Sequence, residues 1–464
     1  MSLDCPRLPL RRASGTLFFS LVAVAIASAM ACTSESVLGN HPAGTAPSAP
    51  NPTDPIGEQG RPIGEQGREE QGDASGHAGS ETPDASSPAP HVVLVRAGGL
   101  TSAVVRSDGS VVEWGGTCKS LFPPGSMAGQ GEDVLCEGDL ASATAPPRQV
   151  AGLPPAVDLA LGSHHGCALA ARGTVWCWGA NGYGQFGDGS TLTLRTQAQP
   201  VPSVSTAKQL VGGADHVCAL LEDRTVRCWG RNNRGQLGDG TTVHRSTPVS
   251  PLGLSDVAKL VAGYDSTCAF LAAGVKCWGA NDFQQLGQWG KTESSVPLDA
   301  VLDFTAFDTS IGRGHACQVI GDGSIHCRGD HTKGQLGDAK ASEVGGNSAS
   351  ARPAELALGG SHTCALVHGL KANPPGGFVH CWGDNSYGQL GDGTVVDSPS
   401  PKWVVADEVA VQLSVGLNHS CYVDKNHDVW CWGFNFYGQA GRGYTPGAPQ
   451  YYQVTHRQKV SGLK

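Results

Sequence analysis

Cysteine, histidine and glycine carry most of the chemistry this sequence could perform, and all three recur at regular spacing. The run CWGANGYGQFGDG, from Cys177, places Gly182, Gly184 and Gly187 as G-x-G-x-x-G, the spacing at which a backbone can close on a pyrophosphate. Its own copies argue against that use, because Asn233, Asp282 and Ser386 stand where Gly182 does. His165, His216, His315, His362 and His419 share another repeat position, which Thr101 and Ser266 fill in two further copies. A hydroxyl can replace an imidazole as a hydrogen-bonding group, so this set reads as structural. Asp188-Gly189, Asp239-Gly240 and Asp392-Gly393 lack the alternating ligand series of a calcium loop and read as turn aspartates. H-E-x-x-H, G-x-S-x-G and P-loop motifs are missing, so the sequence nominates no catalytic residue, no metal and no cofactor.

The cysteines are more specific. Setting aside Cys5 and Cys32 near the N-terminus leaves 14 of the 16. Six neighbouring pairs follow: Cys167/Cys177, Cys218/Cys228, Cys268/Cys277, Cys317/Cys327, Cys364/Cys381 and Cys421/Cys431. Four of them are centred on Arg172, Asp223, Asp322 and Asn426, each at the middle of an expected hairpin turn. Residues equidistant from a turn face one another across antiparallel strands, within reach of a disulfide. The expectation is one cross-strand disulfide in each of units two to seven. Paired buried thiols and zinc ligation are the competing readings, and the repeated hairpin spacing is not a zinc pattern. Cys118 and Cys136 fall outside this register and are expected to staple an insertion.

These residues sit in a repeat. The tryptophan position gives Trp114, Trp178, Trp229, Trp278, Arg328, Trp382 and Trp432, at intervals of 64, 51, 49, 50, 54 and 50 residues. Seven units of roughly 50 residues imply a propeller or a solenoid. Each has alternating β-branched segments, a polar hairpin turn and a Gly/Asn/Gln loop, without helical periodicity. The fold class is therefore all-β, and repeated four-stranded units close most naturally into a ring, here a seven-bladed β-propeller with a disulfide in most blades. The 65 glycines and 16% charged residues agree with a turn-rich β protein.

The pattern A-x-G-x-x-H-(S/T)-x-A-L, then D-G-x-V, then W-G-x-N-x-x-G-Q-L-G-x-G resembles the regulator of chromosome condensation repeat. Leu161 to His165 with Cys167 to Leu169, and Gly359 to Leu366, carry it closely. The resemblance runs from about Val92 to the C-terminus and implies a seven-bladed propeller. It also implies a blade shared between the two termini, with HVVLVRAGG and YYQVTHRQKVSGLK as the contributing segments. Members of that family include a guanine-nucleotide exchange factor for the GTPase Ran, intracellular scaffolds and a secreted β-lactamase inhibitor, so the resemblance implies a fold more than a function.

Residues 1–31 read as a signal peptide, with Arg7, Arg11 and Arg12 ahead of the apolar run Leu17 to Ala29. Ala29-Met30-Ala31 followed by Cys32 fits a bacterial lipoprotein site, with lipidation at Cys32, and also ordinary cleavage with simple secretion. Residues 32–90, including a tandem PIGEQGR from Pro55, are too poor in large apolar side chains to offset ordering entropy and read as a disordered tether. The propeller is assigned to 91–464. Oxidised cysteines agree with export. The net charge of -9 and the lack of a basic run disfavour nucleic acid, and a lipid anchor at Cys32 is the only membrane link.

Two residues before each loop Gln stand Tyr183, Arg234, Phe283, Lys333, Tyr387 and Tyr437, a circle of aromatic and basic side chains of the kind that anchors interfaces. The competing reading has each aromatic packing its own loop. The insertions 117–145, 339–351 and 368–377 are a second candidate surface. The expected function is a monomeric, non-enzymatic scaffold at the cell envelope, at the bacterial outer membrane or secreted, holding an unidentified protein partner on a loop face. An inhibitor of a secreted or periplasmic enzyme and a carbohydrate-binding or hydrolytic surface protein are the alternatives. Exchange-factor activity is disfavoured, since export and disulfides remove the chain from Ran.

Overall fold

The computed structural model describes residues 88–463, apart from 117–145, 192–193, 304, 339–350, 370–376, 405–408 and 443–452. The expectations for the signal segment, Cys32, the tether and the Cys118/Cys136 pair lie outside the described residues, as does most of the three insertions.

All regular structure among the described residues is β. Each repeat lays down strands in order from the centre outward, as in Ala207–Gly212, His216–Leu221, Val226–Gly230 and Arg245–Val249. Alternation sets the faces: in the second of these strands every residue is buried, because both of its faces pack against neighbouring units. The units form a propeller.

Seven separate blades is not the pattern of hydrogen bonding. Among the described residues five sheets are blade-sized, four with four strands and one, over 308–329, with three; the sixth is an eight-stranded sheet over 351–459. A single antiparallel pair, Gly377 with Ala410, joins two meanders into that last sheet. The shared terminal blade is also corrected. Val92–Ala97 pairs with Thr101–Arg106 in its own sheet, and Gln453–Lys459 pairs with Val429–Phe434 in the last one. Both end strands thus find complete partners within their own repeats. Side chains join the two ends instead: Val95 N donates to Gln412 Oε1 at 2.8 Å and Ala97 N to Ser414 Oγ at 2.9 Å.

At the centre the units meet through backbone. Gly98, Gly162, Gly213, Gly263, Gly312, Gly359 and Gly416 each come from one repeat, and each lies against a carbonyl of the next. A Cβ on Gly98 would sit 2.5 Å from the Gly162 oxygen, on Gly213 2.6 Å from the Gly263 oxygen, and on Gly263 2.6 Å from the Gly312 oxygen. Gly416, against the Gly98 oxygen, returns the circuit to its start. No side chain larger than hydrogen fits at these points.

Among the described residues six disulfides link Cys167–Cys177, Cys218–Cys228, Cys268–Cys277, Cys317–Cys327, Cys364–Cys381 and Cys421–Cys431. Each joins directly facing residues of the two middle strands, with Cα atoms 4.1 Å apart. That is a closely spaced cross-strand pair, the kind a disulfide can bridge. Eleven of these cysteines are fully buried, and Cys327 is partly so.

Two outcomes follow for stability. Gly213→Ala should lower unfolding free energy by about 1–3 kcal/mol through overpacking, whereas Gly182→Ala, with nothing within 4 Å of its Cβ position, should stay within about 0.5 kcal/mol of wild type; urea denaturation checks both. Replacing Cys218 and Cys228 together by Ala should cost about 2–3 kcal/mol, for a closed loop of about ten residues, read as a lowered denaturant midpoint without loss of the β circular-dichroism signal.

Candidate functional site

The loops following the third strand of each repeat share one construction. Asn181 Oδ1 accepts from Phe186 N at 2.9 Å, and Gln185 Oε1 accepts from Tyr183 N at 2.9 Å. Asn232 and Gln236 hold Leu237 N and Arg234 N in the same way, and Asn385 and Gln389 hold Leu390 N and Tyr387 N. The recurrent Asn and Gln therefore fix the backbone, and the variable residue two before the Gln is carried at an identical place in each loop. Gly184 and Gly187, both at positive φ, serve this turn and no phosphate cradle.

The six residues at that place reach toward the following repeat. Tyr183 meets His244 edge-on at 5.0 Å and lies under the Arg231 guanidinium at 5.2 Å. Arg234 pairs with Asp282 and Glu293, both at 2.6 Å, and Lys333 with Asp397 at 2.9 Å and Asp384 at 3.3 Å. Tyr387 packs on Phe434 at 4.7 Å, and Tyr437, which also meets Phe436 of its own loop at 4.8 Å, lies against Gly116 of the first repeat. Phe283 remains 50% exposed. The circle exists as a belt at the junctions between repeats, with Phe283 its most open member.

The same end of the molecule surrounds the central depression, a cavity of about 130 Å³ lined by the seven inner loops. The residue two before each repeat-histidine position lines its rim, Tyr264 and Arg313 among them, with Asp215 and Asp265 next to the rim in their loops; none of these four was anticipated as a site residue. Gln185 Nε2 donates to Asp215 at 3.3 Å and Gln236 Nε2 to Asp265 at 3.1 Å, so the loop glutamines also reach the rim. Arg231 pairs with Asp215 at 3.4 Å, and the Arg313 guanidinium lies 5.4 Å over the Tyr264 ring. Burial pushes the Asp265 carboxyl above the ordinary carboxylate range, with Arg231 opposing. Burial works against the Arg231 charge, yet Asp265 and Asp215 outweigh it and raise its pKa. The signal for this rim was the variability of the x-x positions in G-x-x-H. Among the described residues no group of three His, Cys, Asp or Glu is placed to hold a metal. The arrangement offers charge and hydrogen bonds for recognition.

The repeat histidines lie beneath the rim. His216 Nε2 meets Thr267 Oγ1 at 2.9 Å, His315 meets Thr363 at 2.9 Å, His362 meets Ser420 at 3.0 Å and His419 meets Ser102 at 2.8 Å, each in the next repeat. Thr267 then donates to the Gln236 carbonyl, Thr363 to Gln335 and Ser102 to Gln439. A hydroxyl whose proton is engaged must accept from the ring, so Nε2 carries a hydrogen, and burial disfavours a second proton on the ring. His165 faces a repeat with Val217 at the hydroxyl position, and its ring nitrogens find no partner among the described residues. Asp188 and Asp239 cap their turns through Ser190 and Thr241 and accept from Arg195 and Arg245.

Models of the regulator of chromosome condensation (RCC1) repeat match residues 156–185, 207–236 and 410–439, and residues 172–220, 225–270 and 376–423. The chain carries RCC1 repeats. This RCC1-repeat chain is 29% identical over 371 residues to the ultraviolet-B receptor UVR8 of Arabidopsis thaliana, covering 75% of this chain and 78% of the receptor. It is 30% identical over 228 residues to the probable E3 ubiquitin-protein ligase HERC6 of Homo sapiens, covering 46% of this chain but 22% of the ligase. Among solved structures, human WBSCR16 superposes with a TM-score of 0.58 at 20% identity, over 73% of this chain and 88% of that one; that likeness shows the fold.

The histidines predict acid sensitivity. Burial lowers His165, His216, His362 and His419 from 6.5 to about 3, and His315 to about 4. The unfolded chain therefore takes up protons first. Stability from these groups is complete above their ordinary value and is lost as pH falls toward 4 for His315 and toward 3 for the other four, by about 1.4 kcal/mol per pH unit for each histidine. Urea midpoints measured across this range should fall with pH, and a His216→Gln/His362→Gln variant should show a shallower slope.

Proposed function

We propose that this chain is a non-enzymatic protein-binding scaffold exported to the cell envelope, anchored by lipid at Cys32, whose RCC1-repeat propeller holds a partner protein on the face formed by the Gly/Asn/Gln loops and the channel rim. The ring counts seven blades in this reading, the eight-stranded sheet being two. What supports seven is the circuit of seven inner glycines, one per repeat. What supports the scaffold is the division of labour within each loop: Asn and Gln bonds hold one backbone shape while the residues it presents vary among Tyr, Arg, Phe and Lys. A rigid frame with variable presented side chains is how recognition surfaces are built. The similarity to UVR8 and HERC6 agrees with a regulatory or interaction role carried by a propeller, and disulfides in six repeats suit an oxidising compartment.

A photo-crosslinking residue tests the face. Placed at Phe283 it should capture a discrete protein from envelope extract. At Val157, 56% exposed at the opposite end of its strand, it should capture none. Equal capture from both positions would remove the loop face from the proposal.

A further inference from the structure

Neighbouring repeats are joined by a recurrent set of bonds. Where 207–249 meets 259–299, His216 bonds Thr267, Thr267 and Trp278 Nε1 both donate to the Gln236 carbonyl, and Ala214 N donates to the Tyr264 carbonyl at 2.7 Å. Where 308–329 meets 351–403, the set is repeated by His315, Thr363, Trp382, Gln335 and the Arg313 to Gly359 backbone bond. Between 259–299 and 308–329 none of the four bonds is present among the described residues. Ser266 replaces the histidine, Ala316 the hydroxyl and Arg328 the tryptophan, and Tyr264 N makes no backbone bond to the Arg313 loop. The Ser266 hydroxyl is buried without a partner. Lys259 to Asp308, at 3.4 Å, is the one ion pair across this junction among the described residues.

The same junction gathers exposed apolar groups. Arg328 Nη1 and Val301 flank Gly287; Val301 is 58% exposed, and Trp289, two residues beyond Gly287, is 78% exposed. Phe283 packs on Gly314, which the Asp330 Cβ also flanks, and keeps half its surface open. Arg328 is half-buried and makes no hydrogen bond or ion pair among the described residues, and burial alone lowers its pKa. A desolvated guanidinium without an acceptor is costly. Repeat rules broken together in one place, with no stabilising replacement, mark positions kept for something other than stability.

We propose that the junction between 259–299 and 308–329 is a docking site for a peptide segment of a protein partner that carries a carboxylate between aromatic or aliphatic side chains. The carboxylate meets the Arg328 fork, which matches its two oxygens, and the apolar flanks cover Phe283 and Trp289. Arg and Trp are the residue types that dominate such contacts. Asp330, beside Phe283, disfavours a segment bearing further negative charge on that side. The choice of occupant rests on charge complementarity: the slot holds a cation the fold leaves unneutralised, and Arg313 on the adjoining loop faces the Tyr264 ring. The inference rests on the scaffold reading above, but its test needs no natural partner.

The probe is 3-phenylpropanoate, with 3-phenylpropanamide as the uncharged control and inorganic phosphate as the simple anion, titrated into the full chain carrying labelled arginine and tryptophan. The acid should move the Arg328 Nε and Trp289 indole NMR signals, at an affinity about ten-fold above that of the amide. Arg328→Trp should abolish the response and raise the thermal midpoint, because the indole restores the bond to the Gln285 carbonyl. Arg328→Lys, which keeps the charge without the fork, should respond weakly. Equal responses to acid and amide, a response surviving in Arg328→Trp, or a phosphate response as strong as the acid's would overturn the proposal. Concentration-dependent dimerisation lost in Arg328→Trp would assign the surface to a second copy and overturn it as well. Failure of these titrations removes the junction site alone, while failure of the crosslinking contrast removes the scaffold face.

Discussion

Seven inner loops approach one another to backbone distance, and the rest of the molecule is arranged around that contact. A glycine in each repeat faces the carbonyl oxygen of the next, and the series closes on itself from Gly416 to Gly98. Because the approach leaves no room for a Cβ, the radius of the ring is set by peptide groups and not by side-chain size. Outer strands and loops can then vary without changing the centre. The histidine at i+3 fills the space above the glycine, as at Gly213 under His216 and Gly359 under His362, so the histidine leaves no room for a side chain there.

Burial of so many polar groups is tolerable because most of the junctions answer them from the next repeat. Imidazole, hydroxyl, loop carbonyl and indole form one chain of bonds across a junction, and a polar network in a low-dielectric interior stabilises only when complete. Pairs of positions change together for this reason: Thr101 precedes a repeat with Gly166 in the hydroxyl position, and Ser266 one with Ala316. His165 opposite Val217 breaks the rule and is the imidazole whose two nitrogens both stay unsatisfied.

The hairpins were legible because a disulfide needs two residues equidistant from a turn, and the cysteine midpoints give the turns directly. The repeat length and the loop grammar were equally plain. What the sequence did not carry was partnership between repeats. A hydrogen bond from His216 to Thr267 spans 51 residues, and nothing local at either end announces it. The outward circle of Tyr183, Arg234, Phe283, Lys333, Tyr387 and Tyr437 was visible as a pattern, but its side chains turn toward the neighbouring loop, where the acidic and aromatic groups that hold them lie. The shared terminal blade failed because it came from resemblance, whereas the register of Gln453–Lys459 against Val429–Phe434 is complete within its own repeat. Arg328 was visible as the one departure from tryptophan; that it takes part in a whole junction's departure needed the coordinates.

The unshared ends give the molecule a definite load path. Tension arriving through residues 88–91 and directed along Val92–Ala97 meets an inner strand whose bonds to Thr101–Arg106 run crosswise to it. Those bonds must be sheared together and not unzipped one at a time, and the side chains of Gln412 and Ser414 add a second anchorage from the far end of the sequence. A ring gripped in this way resists being unravelled from its N-terminus. Since each of the six described disulfides lies within a single hairpin, a force that did open the ring would part it between repeats and leave those six hairpins as covalently knotted beads on the chain.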